Sequence, residues 1–356
     1  MAQTITTPIK VRKTLHSRIR EVDWDHLEFG QHSTDHMLVC DYKQGHWQTP
    51  EIIPFGDFSL PPTTVAFHYG QTIFEGLKAF RMDDGRVHIF RPQKHYERMV
   101  RSAERLCMPM VSKELFLEGL HQFVEIDQEW VPGQAGCALY LRPFIIATDT
   151  RLRAHASETY RFAIVASPSG PYYQQTMRIK VEREFVRAPK GGTGYAKCGG
   201  NYGGAFYPTK RANEQGYAQV IWTDSKENQF IEEAGTMNIM FVIDGILVTP
   251  PLSDSILDGI TRDSLITLAR DAGIPVEERP VSVDELKKAF AGKTIREAFG
   301  VGTAAVIAPI GTIGIDGIDY DLPAPGKQNI ASSIKSLLED IRYGRKLDNH
   351  GWNNFI

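Results

Sequence analysis

Lys197 lies inside the run GGTGYAKCGGNYGG, Gly191 to Gly204, where seven glycines surround one lysine. Glycine gives up more chain entropy on folding than any other residue, so such a cluster makes sense where backbone must pass close to a bound group. A lysine amine held there, partly shielded from water, shifts towards its neutral, nucleophilic form. These residue types at this spacing point first to Schiff-base chemistry, against the plainer reading of a flexible linker with an incidental lysine. A P-loop also combines glycines with a lysine, but the residue after Lys197 is Cys198, not the Ser or Thr that would hold Mg²⁺. A dinucleotide fingerprint fits poorly as well, because the preceding EFVRAP does not read as a central parallel strand.

Six further segments occur in order with KCGGNYGG: IFEGLKAF from Ile73, FRP from Phe90, LYLRP from Leu139, EEAGTMN from Glu232, LDGITR from Leu257 and FGVGTAA from Phe299. Together, across nearly the whole chain, they resemble the branched-chain aminotransferase family, fold type IV of the pyridoxal-phosphate enzymes. The resemblance implies that Lys197 anchors the cofactor pyridoxal 5'-phosphate covalently and then moves a proton as general acid and base. It implies that Glu233 partners the pyridine nitrogen, because only a protonated ring is a good electron sink. Tyr202 matches the tyrosine that hydrogen-bonds the cofactor's phenolic oxygen. Without the family, Glu233 reads as a solvated carboxylate beside Glu232, and Tyr202 as a core tyrosine at the start of a helix.

The cofactor's phosphate needs donors. Gly259, Ile260 and Thr261 followed by RDSLITLARDAG read as a glycine turn feeding a helix, with Leu265, Leu268 and Ala269 on one face and Gly273 at the C′ position. A helix N-terminus offers N–H groups and a favourable dipole to an anion. The resemblance puts Ile260, Thr261, Thr303 and Arg91 on the phosphate. Their plain readings are a helix cap for Thr261, a turn residue for Thr303 and a surface charge for Arg91.

For the substrate, the resemblance assigns the α-carboxylate to the Thr236 hydroxyl and the backbone around Ala304. Phe29, Tyr69, Phe74 and Tyr140 match the aromatic positions of an apolar side-chain pocket, and Arg142 matches a residue that receives the distal carboxylate of glutamate. One departure stands out. Vertebrate members carry a redox-sensitive C-x-x-C pair where this chain has Ala305 and Ala308, so thiol regulation of that type is expected to be absent.

A chain of 356 residues and 40.0 kDa is long enough for two domains with substantial cores. A net charge of −3 and a hydrophobic content of 42% describe an ordinary soluble protein and exclude a basic nucleic-acid surface. The four cysteines are widely spread, without metal-ligand spacing or a disulfide framework, and the histidines form no HExxH pattern, so no metal is expected. The N-terminal MAQTITTPIK has no apolar signal core, and no stretch has the length to span a bilayer, which leads us to expect a cytoplasmic enzyme that does not engage membrane.

The elements that must carry these residues are legible in part. FRPQKHYERMVRSAERLCMP predicts a helix with Pro92 in its first turn and Tyr96, Met99, Val100, Ala103 and Leu106 at helical spacing. Strands are predicted from Cys137, from Tyr160, over Gln219–Thr223, Ile239–Ile243 and Ile246–Thr249, and a closing helix from Gln328 to Tyr343. Helices and strands without a βαβ rhythm argue α+β. SPSGPYYQ, Ser167 to Gln174, reads as the interdomain connection. The expected organisation is a small N-terminal domain over 1–166, a connection over 167–182 and a large cofactor-binding domain over 183–356. Fold type IV adds a small N-terminal α/β sandwich, a larger C-terminal pseudo-barrel and a homodimer.

The expected activity is reversible amino transfer between L-leucine, L-isoleucine or L-valine and 2-oxoglutarate, with glutamate and the branched-chain 2-oxo acids as the other partners. A D-amino-acid aminotransferase or aminodeoxychorismate lyase of the same fold is the alternative within the family. A non-catalytic pyridoxal-phosphate-binding protein is the alternative from another class.

Overall fold

Short runs of β-branched and aromatic residues form most of the strands, and the alternation of side chains sets which face is buried. In Ala138–Ala147, for example, the second half alternates strictly between buried and half-buried residues. The computed structural model describes residues 8–171, 175–324 and 329–356. The chain divides into two compact units: Met1–Tyr172 with Ala196–Gly200 and Arg342–Ile356, and Tyr173–Tyr195 with Asn201–Ile341.

The first unit is built on a sheet with the strand order Lys10–Val11, Glu51–Pro54, His36–Lys43, Tyr160–Ser169, Ala138–Ala147, Leu77–Arg81, Val87–Phe90 and Asn353–Phe355. Thr72–Phe74 pairs additionally with Ala138–Ala147. Two helices, Pro92–Arg105 and Lys113–Ile126, pack on this sheet. The second begins where Ser112 accepts the Leu115 N–H at 3.1 Å, and it buries Phe116, Leu120, Phe123 and Val124 at helical spacing. The expected linker begins later than its composition suggests. Ser167, Pro168 and Ser169 are strand residues opposite Tyr140, Leu139 and Ala138, and the last part of SPSGPYYQ, residues 172–174, lies outside the described residues. Proline is tolerated in a strand where no ladder hydrogen bond needs its missing N–H.

In the second unit six strands close on themselves: Met177–Val181, Val306–Ile315, Ile295–Gly302, Met237–Ile243, Ile231–Ala234 and Gln219–Thr223, which returns to Met177–Val181. Closure gives each of these six strands a neighbour on both sides, while Val276–Glu278 and Ile318–Asp321 stay at the edges of the sheet. The interior is filled by Ile179, Ile221, Ile239, Phe241, Ala308 and Ile313, each without measurable exposure. Helix Ile260–Asp271 ends as the spacing predicts, with Gly273 at φ +73° and the Ile274 N–H closing on Ala269 O at 2.9 Å. The predicted last helix is Ile330–Arg342; its expected start at Gln328 lies outside the described residues.

The boundaries 1–166 and 183–356 keep each domain contiguous, whereas two later pieces fold with the first unit for a simple reason. Asn353–Phe355 adds an antiparallel strand to Val87–Phe90, and Cys198 forms an isolated bridge with Ile73. Among the described residues no helix is long and apolar enough to cross a membrane, and no cluster of His, Cys, Asp and Glu could hold a metal ion.

Candidate active site

Lys197 is held by its main chain on both sides. Its N–H donates to Ser102 Oγ at 2.8 Å, and its carbonyl accepts the Phe74 N–H at 3.0 Å. The Gly199 N–H continues the pairing to Thr72 O at 3.1 Å, so the lysine segment lies alongside Thr72–Phe74 like a short added strand. The side chain is half-buried, with Nζ 4.8 Å from the centre of the Phe74 ring. Ser102 in turn donates to Arg98 O at 3.1 Å and has no measurable exposure.

Beneath this lies a buried ionic cluster that the sequence did not disclose. Arg98 grips Glu75 with two hydrogen bonds, Nε to Oε1 at 2.7 Å and Nη2 to Oε2 at 2.8 Å, and His95 Nδ1 contacts Glu75 Oε2 at 2.7 Å. Burial by itself would raise the Glu75 carboxyl, but the Arg98 guanidinium holds it well below the usual carboxylate range. Burial also pushes the His95 imidazole down to about 4, outweighing the upward pull of the Glu75 carboxylate, and the nearby Arg98 and Lys197 cations add to the fall. The helix Pro92–Arg105 therefore buries a largely polar stripe, His95, Arg98, Met99, Ser102 and Ala103, while Tyr96, Val100 and Leu106 of the expected stripe are half-buried.

Arg91 precedes this helix at φ +52°, a left-handed conformation unusual for a residue other than glycine. It is 7% exposed, which excludes the plain reading of a surface charge.

Around the expected substrate positions, the structure gathers Phe29, Phe74, Tyr140 and Arg142. The Phe29 and Tyr140 rings meet edge to face at 4.7 Å, and the Arg142 guanidinium lies 4.6 Å from the Phe74 centre and 5.2 Å from that of Tyr140. Arg142 Nη2 donates to the Tyr140 hydroxyl at 3.0 Å, and Arg142 pairs with no carboxylate among the described residues. A side chain at Gly76 would overlap the Tyr140 hydroxyl, so glycine is required for the ring to take this place. Tyr69 stands on another element, at the end of the short helix Val65–Tyr69, where it is 45% exposed and its ring neighbours His68.

In the second unit, Glu233 is 2% exposed, not a solvated member of an acidic pair. Its Oε1 accepts the Leu257 N–H at 2.8 Å and Asn238 Nδ2 at 3.2 Å, and its Oε2 pairs with Arg187 Nε at 2.5 Å. The neighbouring Glu232 points differently and accepts from the Ser255 hydroxyl, and burial raises its carboxyl. Arg187, not foreseen from EFVRAP, also donates to Gly194 O at 3.0 Å and Ser255 O at 2.7 Å, which ties the glycine run to the Ser255 loop and to Glu233. A Cβ at Gly194 would strike the Ser255 backbone. At this position the glycine serves a close approach of two protein segments, in place of the approach to a bound group expected from the sequence.

Ile260 and Thr261 begin the helix Ile260–Asp271, both buried, and the N-cap position is Gly259, which has no side chain to cap the first turn. Thr303 and Ala304 form the turn between Ile295–Gly302 and Val306–Ile315, and Thr236 is exposed at the hairpin between Ile231–Ala234 and Met237–Ile243. Tyr202 sits in the helical turn Gly200–Gly203 and is half-buried.

The residue types expected for pyridoxal phosphate are present in each unit: in the first, an amine on a fixed backbone and a buried arginine, and in the second, a buried carboxylate, a phenol and a helix whose N-cap is a glycine. A profile of the family described as amino-transferase class IV matches residues 72–313. The chain is 45% identical over 349 residues to branched-chain-amino-acid transaminase 1 of Bacillus subtilis (strain 168), covering 97% of this chain and 98% of that protein. It is 42% identical over 333 residues to the branched-chain-amino-acid aminotransferase of Mycolicibacterium smegmatis, 91% and 90% of the two chains. The branched-chain aminotransferase of Thermoproteus uzoniensis, solved with norvaline, superposes with a TM-score of 0.74 at 27% identity over 90% of this chain and 99% of that one. The Escherichia coli enzyme gives 0.71 at 27% identity over 88% and 98%. On this evidence the chain belongs to the class IV aminotransferases, pyridoxal-phosphate-dependent transaminases of fold type IV, and among them to the branched-chain aminotransferases.

Proposed function

We propose that this transaminase moves the amino group between L-leucine, L-isoleucine or L-valine and 2-oxoglutarate, with the other product of each direction being glutamate or a branched-chain 2-oxo acid. Bound pyridoxal phosphate supplies an aldehyde that stores the amino group and a ring that accepts electron density from the substrate α-carbon. Lys197 serves as covalent anchor, then carries the proton to and from the α-carbon, a role suited to an amine on a fixed backbone. Glu233 holds the proton on the ring nitrogen, and Arg187 keeps that carboxylate in place. Tyr202 donates to the phenolic oxygen, while Arg91, Ile260, Thr261 and Thr303 hold the phosphate. Thr236 and the backbone at Ala304 receive the α-carboxylate, and Phe29, Tyr69, Phe74 and Tyr140 wall the side-chain pocket.

The observation that carries dual specificity is Arg142, a cation stacked on Phe74 and Tyr140 with no carboxylate partner among the described residues. Its aromatic neighbours offer apolar surface to a branched aliphatic side chain, and its guanidinium offers a partner to the distal carboxylate of glutamate. Single-turnover reactions of the cofactor-loaded enzyme with L-leucine, L-isoleucine, L-valine and L-glutamate test the reading, with the D-forms as controls. Conversion by all four L-donors is expected. Failure with glutamate, or equal conversion by D-donors, sinks it.

A further inference from the structure

The chain's last residues return to the strand that leads into Arg91. Asn353, Asn354 and Phe355 pair with Phe90, Ile89 and His88, and the Ile356 N–H donates to Val87 O at 3.0 Å. At the start of this added strand, Trp352 meets Arg91 twice. Its carbonyl accepts the Arg91 N–H at 2.8 Å, and its ring lies under the Arg91 guanidinium at 4.8 Å. The ring itself is fixed: Phe90 packs against it edge to face at 5.7 Å, His350 stacks on it at 4.5 Å, and it is 8% exposed.

We propose that Trp352 is a positioning residue for Arg91, fixing both its left-handed backbone and its guanidinium plane so that the arginine is prepared for a phosphate. The inference rests on the reading of Arg91 as a phosphate contact. A free arginine side chain loses considerable rotamer freedom when it binds an anion, and fixing it beforehand removes much of that cost. Stacking on an aromatic ring uses the face of the guanidinium and leaves its edge, which carries the N–H donors, for hydrogen bonds. The backbone hydrogen bond addresses a second cost, since a residue other than glycine at φ +52° persists only when its surroundings enforce it.

The test compares pyridoxal phosphate with pyridoxal, which shares the aldehyde and ring and lacks only the phosphate, as ligands of the cofactor-free full chain. Trp352→Leu is expected to weaken pyridoxal phosphate by about three- to thirtyfold while leaving pyridoxal unchanged. Trp352→Phe, which keeps a ring in place and guards against a folding failure of the leucine variant, is expected to recover most of the selectivity for the phosphate. A general structural role for Trp352 would weaken both ligands together, and that result overturns the proposal. Arg91→Met separates the two readings. If it loses affinity for pyridoxal phosphate and Trp352→Leu does not, Arg91 binds phosphate without help from Trp352 and the proposal is wrong. If Arg91→Met binds pyridoxal phosphate as the parent does, the phosphate reading of Arg91 fails, and the proposal falls with it.

Discussion

The main-chain N–H of Lys197 ends on the hydroxyl of Ser102, 2.8 Å away, and that hydroxyl donates its own hydrogen bond to Arg98 O. The lysine's backbone is thus pinned to the same helix that Arg91 begins and that Glu75 grips through Arg98 and His95. Ser102→Ala removes the acceptor and leaves a partly buried N–H unpaired, which costs about 1–3 kcal/mol. Urea unfolding is expected to show a loss of that size, together with a lower turnover number. Ser102→Thr retains the hydroxyl and should recover most of both. Equal behaviour of the alanine variant and the parent would mean that the backbone of Lys197 is fixed by Phe74 alone.

On the role proposed for Lys197, its replacement removes anchor and proton carrier together. General acid–base catalysis is typically worth roughly 10²–10⁴-fold, so Lys197→Ala should lose at least that much. Borohydride reduction of the parent, followed by peptide mapping, is expected to leave the pyridoxyl group on Lys197, and a label on another lysine contradicts the assignment.

His95 gives a pH dependence of known sign. Burial lowers its folded pKa to about 4 from an ordinary value of 6.5, so between these limits the unfolded chain takes up a proton that the folded chain refuses. Acidification through this window therefore destabilises the fold, by about 2 kcal/mol at pH 5 from this group. Denaturant midpoints at pH 7 and pH 5 should converge in His95→Gln relative to the parent. Parallel losses in both proteins would show that other groups set the acid limb.

Much of this site was legible locally, and the remainder was not for a physical reason. The glycine run, the helix after Gly259 and the strand Gln219–Thr223 follow from neighbours in sequence, where period and turn chemistry act. Ser102, Arg187 and Trp352 matter because of partners brought close only by tertiary folding: Lys197, Glu233 and Arg91. Hydrophobic period also misplaced the buried face of Pro92–Arg105, because Arg98 and His95 read as exposed until Glu75 is seen to pair with the arginine and to contact the imidazole. The serines and proline of Ser167–Ser169 have turn composition yet extend a strand, held there by the ladder to Ala138–Tyr140.

Arg187 and Glu233 should behave as a coupled pair. Breaking a buried pair from one side leaves an uncompensated charge and typically costs about 3–5 kcal/mol, so Arg187→Met is expected to be strongly destabilising. Adding Glu233→Gln should recover part of the loss, and a double-mutant cycle reads the coupling. Glu233→Gln alone is expected to slow half reactions more than it lowers cofactor occupancy, since a neutral amide does not stabilise a protonated ring nitrogen. Additive losses in the cycle would separate the two residues.

Arg142 offers the most direct test of the two proposed substrate classes. On the proposed reading glutamate brings a second carboxylate to a place that leucine fills with methyl groups, and Arg142 is the cation that Phe74 and Tyr140 hold in position without a carboxylate of the protein's own among the described residues. A charge-assisted hydrogen bond is typically worth about 1.5–3 kcal/mol, whereas an aliphatic side chain gains nothing from the charge. Arg142→Met is therefore expected to slow the glutamate half reaction by roughly ten- to a hundredfold and to leave the leucine half reaction within a few-fold. The methionine keeps apolar bulk against the two rings, so a packing defect would depress both reactions. Single-turnover rates with each donor read the difference, and an equal loss for leucine and glutamate would assign Arg142 to the support of Tyr140 instead of the distal carboxylate.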